Sequence, residues 1–241
     1  LAAKVHGTLT ALNKADNSRR DLHDSDAVTE GYVVSTGARS SVVLLFANGS
    51  AINLGADSSL SIDEFLMDPF NAKYSVADSK EEPSTSVTKL SLERGELVGN
   101  VKHLHRESGS SYSINTPVGA AGIRGTTFQI VFHADGSGYS LATAEGVVAL
   151  TGGSGLERPV PAGKEVKAIF DVAPGTGVIV PGSLKILDVE DMSAETQAAI
   201  AAAVAEILAA EANGFDSGGA PAALSPPVET TPGDGRSPTH G

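Results

Sequence analysis

The sequence predicts an all-β fold, either an antiparallel sandwich or a short β-solenoid, with one C-terminal α-helix and an extended Pro/Gly-rich tail. Three observations lead there. Short apolar runs recur with turn residues between them, at the spacing of about 8–12 residues that marks sandwiches and barrels. The apolar period changes from two to 3.6 once only, after Ser193. The 241 residues include 27 Gly, no Trp and 5% aromatics, so the core is Val, Leu, Ile and Ala, which suits thin, closely stacked sheets.

The first strong element is the run Val42 to Ala47, apolar at successive positions and therefore expected to be covered on both faces. Asn48-Gly49 joins it to Ala51-Ile52-Asn53-Leu54, and Asn-Gly between two β runs predicts a type I′ hairpin. Leu60 and Ile62 share a face. Val87, Leu90 and Leu92 form a strand up to a break at Gly95, and Leu97 and Val101 follow it. Gln129 to Phe132 and Tyr139 to Leu141 flank the turn Asp135-Gly136-Ser137-Gly138. Val147 to Leu150, Val166 to Phe170, Val178 to Val180 and Leu184 to Ile186 complete the series. Two stretches interrupt it: Asn13 to Asp26 reads as a solvated loop, and Asp68 to Pro83 as an insertion between strands.

Ser193 is a good N-cap, Glu195 lies in the first turn, and Ile200, Val204, Ile207 and Leu208 form one helical stripe before Asn213-Gly214. The chain therefore divides into a β-domain (1–188), a helix (189–213) and a Pro/Gly/Ser-rich tail (214–241). The tail has too little apolar surface to order itself alone. Its prolines favour extended chain, so Pro221, Leu224, Pro226, Pro227 and Val228 are the expected anchors on a second copy of the protein.

A net charge of −12 argues against nucleic acid and anionic membrane surfaces, which need clustered cations. Cysteine is absent, which removes disulfides, thiolate metal sites and a Cys nucleophile. No apolar run approaches the roughly 20 residues of a membrane span. The opening Leu1-Ala2-Ala3, without Met, reads as a mature exported chain after removal of a signal peptide.

Thr116-Pro117-Val118-Gly119-Ala120-Ala121-Gly122-Ile123-Arg124-Gly125-Thr126-Thr127-Phe128 resembles the hallmark of the FecR domain family. Weaker pieces follow in the family's order: Gly37-Ala38-Arg39-Ser40, Asn48-Gly49-Ser50, Leu92 to Leu97, Glu145-Gly146-Val147-Val148 and Pro161 to Glu165. The resemblance covers about residues 28–170. It implies a bacterial periplasmic or surface-exposed β-domain; its namesake relays a signal from an outer-membrane receptor to a sigma factor. No cytoplasmic anti-sigma helix bundle or membrane span accompanies it here, so that role does not transfer directly.

Within the hallmark, Pro117 holds Thr116 extended, and Gly122 and Gly125 give the backbone room around Arg124. Arg124 is expected to be buried and structural, bonded to backbone carbonyls or a carboxylate, Glu145 first, with Thr126 beside it. His103 and His105 would share one strand face, a spacing that can hold a metal given a third ligand, but a solvated face is the plainer reading. No nucleophile elbow, phosphate loop or dinucleotide motif is present, and no cofactor is expected. The sequence reads as a non-enzymatic extracytoplasmic structural protein that self-associates through tail, helix or β-edges, as in a filament. The alternative is a sensory or ligand-binding module that engages a receptor or cell-wall glycan.

Overall fold

The computed structural model describes residues 1–70, 79–136, 138–152 and 155–214. The strands are β1 (Ala2–His6), β2 (Leu9–Asn13), β3 (Arg19–Asp21), β4 (Tyr32–Thr36), β5 (Ser41–Leu45), β6 (Ala51–Leu54), β7 (Ser59–Met67) and β8 (Ser86–Asn100). They continue with β9 (Ser111–Thr116), β10 (Gly119–Ile123), β11 (Thr127–His133), β12 (Gly138–Glu145), β13 (Val147–Thr151), β14 (Glu157–Pro161), β15 (Lys164–Ile169) and β16 (Lys185–Asp191). The helix α1 spans Ala194–Gly214. Between the two stretches of β-structure lies one 3₁₀ turn, Arg106–Ser108.

The fold is a sandwich. Sheet A runs β1-β5-β6-β8-β11-β12-β15-β16. Sheet B runs β3-β2-β4-β7-β8-β9-β10-β13-β14. All pairings are antiparallel except β8 with β9. Strand β8 belongs to both sheets: Ser86 to Arg94 pairs with β7, and Gly95 to Asn100 pairs with β11. The Gly95 break is therefore a bend within one continuous strand. The inward rows of both sheets, including Leu44, Ile52, Leu60, Leu90, Ile114, Phe128 and Ile130, form one buried cluster.

Alternation accounts for the burial of β5 on both faces. Val42 and Leu44 enter the sandwich core, while Val43 and Leu45 point the other way, onto Ile207 and Ala210 of α1. The helix covers the outer face of sheet A, with Ile200 and Met192 against Val98 and Ala142. Ser193 caps it, accepting the Thr196 amide on Oγ at 3.1 Å. Leu208 departs from the expected stripe and is 54% exposed. The buried row is Ile200, Ile207, Ala210 and Glu211, and Leu208 lies about 100° from Ile207 around the axis. Glu211 and Lys102 lie 3.9 Å apart under the last turn. Burial holds the Glu211 carboxyl above its ordinary pKa, and Lys102 opposes this only in part.

Two local expectations are corrected. The hairpin at Asn48-Gly49 is not type I′: only Gly49 has positive φ (+80°). Its amide bonds Phe46 O at 3.0 Å, and Phe46 N bonds Ser50 O at 2.9 Å, the pattern of a type I turn with a G1 bulge. Asn48 adopts the ordinary backbone because its side chain turns inward onto Ser86 and Thr88. The stretch Asn13 to Asp26 is a short hairpin, since β3 pairs with β2 and Leu22 is buried.

Candidate functional site

The hallmark segment lies on the hairpin β9–β10 and the step to β11. Thr116 Oγ1 closes the turn, donating to Gly119 O at 3.0 Å and accepting Gly119 N at 3.2 Å, while Pro117 is exposed. Gly125 has φ +70°, and a Cβ there would lie 2.8 Å from the His103 Cα, so the backbones meet where only glycine fits. Gly122 is different: an added Cβ would find nothing nearer than 3.8 Å. Thr126 is buried, and its Oγ1 has no partner among the described residues.

The expectation of a buried Arg124 bonded to Glu145 is corrected. Ile123 takes the inward position, so Arg124 faces out, 43% exposed, and pairs with Glu157 of β14 at 2.9 Å. Glu145 instead accepts a long 3.5 Å bond from Thr127 Oγ1. Arg124→Ala should shift unfolding free energy by no more than about 0.5–1 kcal/mol, as exposed ion pairs do. A thermal midpoint lowered by ten degrees would contradict this placement.

His103 and His105 are not on a strand. They lie in the link after β8, where Leu104 plugs the core. The His105 ring is 3.7 Å from Glu81 and 3.9 Å from Glu82. Among the described residues no cluster of His, Asp and Glu has metal-binding geometry. Glu82 closes this end of the sandwich. Its carboxylate is fully buried and accepts Ser86 Oγ and the His105 amide, each at 2.6 Å. Pro221, Leu224, Pro226, Pro227 and Val228 lie outside the described residues.

The sheet edges are poorly suited to assembly. Strand β1 is bulged, with Lys4 at φ +52°. Strand β3 is three charged residues, Arg19-Arg20-Asp21. Strand β14 carries Pro159 and Pro161, and β16 is bulged and carries Asp188, Glu190 and Asp191. Prolines, bulges and charges are the devices that prevent edge-to-edge pairing.

One concave feature of the surface lies at the opposite end from Glu82, where β8 bends at Gly95. A groove of about 460 Å³ is lined there by Asp57, Arg94, Glu96, Phe132, His133 and Asp135. The bend is held firmly. Ser58 Oγ accepts the Glu96 amide at 3.0 Å, the Ser58 amide donates to Thr36 Oγ1 at 2.9 Å, and Thr36 Oγ1 donates to Gly55 O at 2.6 Å. Some exposed charges elsewhere form ion pairs, as in Lys14–Asp63, Arg20–Asp26 and Lys164–Asp191. Asp57, Arg94, Glu96 and His133 line the groove with exposed side chains and form no ion pair or side-chain hydrogen bond among the described residues. The groove presents exposed charges of both signs, Arg94 against Asp57 and Glu96. Sequence reading missed it because Asp57, Arg94 and His133 are far apart in the chain. The one legible signal was Gly95, a glycine inside a strand pattern.

Residues 32–149 match the family described as FecR protein. None of the curated proteins matches the chain. Two crystal structures of anti-sigma factor candidates from Parabacteroides distasonis are similar at 12% identity. The first has a TM-score of 0.46 and aligns over 69% of this chain and 62% of its own. The second has a TM-score of 0.47, with 75% and 74% covered. The chain thus spans less than two thirds of the first of these structures.

Proposed function

We propose that this chain, whose residues 32–149 form a FecR domain, is a non-enzymatic extracytoplasmic sensory module that engages a receptor or cell-wall glycan through the groove at the β8 bend. The observation that carries the reading is the set of unpaired opposite charges on a hydrogen-bonded corner. Opposite charges carried on a backbone corner that hydrogen bonds hold in place need little backbone reordering to meet a partner of complementary charge. No helix among the described residues is long and apolar enough to cross a membrane. The test is an amide-shift map of the full chain titrated with a soluble peptidoglycan digest. Shifts should gather at Asp57, Arg94 to Glu96 and His133, and Arg94→Glu should abolish them. Shifts elsewhere, or none, would overturn the reading for the glycan.

A second reading, self-association, keeps one supporting observation. The outward side of α1 is a smooth row of exposed alanines, Ala198, Ala201, Ala205 and Ala212, with Leu208 among them, and small residues allow helices close approach. In this reading Pro221, Leu224, Pro226, Pro227 and Val228 add the second contact. Removing residues 215–241 should then leave the β-domain folded and reduce an oligomer to a monomer in sedimentation velocity. A full-length chain that already sediments as a monomer at high concentration would remove it.

A further inference from the structure

We infer that the groove takes a short peptide-like zwitterion, its carboxylate on Arg94 and its ammonium group between Asp57 and Glu96. The inference rests on the groove being the module's binding site. The volume, about 460 Å³, falls in the range of roughly 300–1,000 Å³ usual for small-ligand sites. It is enough for two or three residues of a small-side-chain peptide.

The charges decide the class. A polyanion would meet Arg94 but be repelled by Asp57 and Glu96, and a polycation would meet the reverse. A molecule with one charge of each sign satisfies both, and a guanidinium takes a carboxylate through two parallel hydrogen bonds. A neutral sugar is disfavoured by the floor. Sugars stack on exposed aromatic faces, and the one phenyl ring in the groove, Phe132, is 0% exposed, packed on Phe170 at 5.5 Å.

Glu96 gives the site a second connection. Its side chain crosses Gly55, where an added Cβ would come within 2.5 Å of it. It also lines a narrow gap of about 90 Å³ beneath α1, with Asn53, Gln129 and Ala203. Asn53 in turn donates to Glu206 of the helix at 2.7 Å. An ammonium group drawn to Glu96 therefore acts on the wall that separates ligand from helix.

The experiment is an amide-shift titration of the full chain with trialanine, N-acetyl-trialanine, trialanine amide and chitotriose. Free trialanine should move the amides of Asp57, Gly95, Glu96 and His133, and capping either end should weaken it at least tenfold. Arg94→Gln should make free trialanine and its amide equivalent, while the double variant Asp57→Asn/Glu96→Gln should do so for the free and acetylated peptides. Each variant is checked first for an otherwise unchanged spectrum. If capped peptides bind as well as the free one, or only chitotriose moves these amides, the zwitterion is wrong and the groove stands as a binding site. If neither these probes nor the peptidoglycan digest touches the groove, both inferences fall.

Discussion

Gly95→Ala is expected to cost about 2–4 kcal/mol, and to leave a fraction of the chain unfolded at 37 °C. Two effects add. Gly95 has φ +94°, a region in which an L side chain costs roughly 1–2 kcal/mol. The new Cβ would also lie 2.5 Å from the Ser58 Cα, a backbone atom that cannot rotate aside. Relief requires opening the bend, and the bend carries the registers of both sheets: Ser59 opposite Arg94 on one side, Leu54 opposite Leu97 on the other. Gly122→Ala is the control, since its Cβ would meet only ordinary contacts at 3.8 Å. Urea unfolding of the two variants should separate them clearly, and equal midpoints would refute this account of the corner.

Glu82→Ala is expected to cost about 3 kcal/mol through the other end of the sandwich. The carboxylate is fully buried, and each oxygen takes one short hydrogen bond, from Ser86 Oγ and from the His105 amide. Ser86 Oγ also accepts Asn48 Nδ2 at 3.1 Å, and the Ser86 amide donates to Ser110 Oγ at 3.1 Å. Truncation leaves a buried amide and a hydroxyl without acceptors, each worth about 1–3 kcal/mol. Glu82→Gln keeps one acceptor oxygen and should lose roughly half as much. Urea midpoints read both variants. If Glu82→Ala matches the parent protein, the network is not holding this end shut.

The sheet content, the helix and its cap were legible because they rest on local signals: apolar alternation, Asn-Gly, and Ser193 before an alanine-rich stripe. Even the double coverage of β5 could be read, since Val42 to Leu45 has no polar position to offer solvent. What could not be read depends on which segments meet. Arg124 looked buried among glycines, yet Gly125 is there for the His103 backbone, and the arginine points outward to Glu157. The His103 and His105 pair looked like a strand face because nothing local reveals that Leu104 is the residue held inward. The groove was illegible for the same reason. Its charges come from three separate stretches of chain, brought together by a bend that no period encodes.

The membership of β8 in both sheets also bears on how the chain reaches this state. Strands β6 and β7 precede β8 in the sequence, and β9 and β11 follow it, so a chain emerging from its N-terminus holds the first half of each sheet with one flank unpaired until about residue 100 has arrived. The finished molecule guards its outer edges with prolines, bulges and charge, but the flanks of β6 and β7 are apolar strands whose protection is β8 itself. Non-local pairing of this kind slows folding and exposes unpaired strand to other chains. The vulnerable interval lies in the nascent chain, ended when a single fifteen-residue strand closes both halves at once.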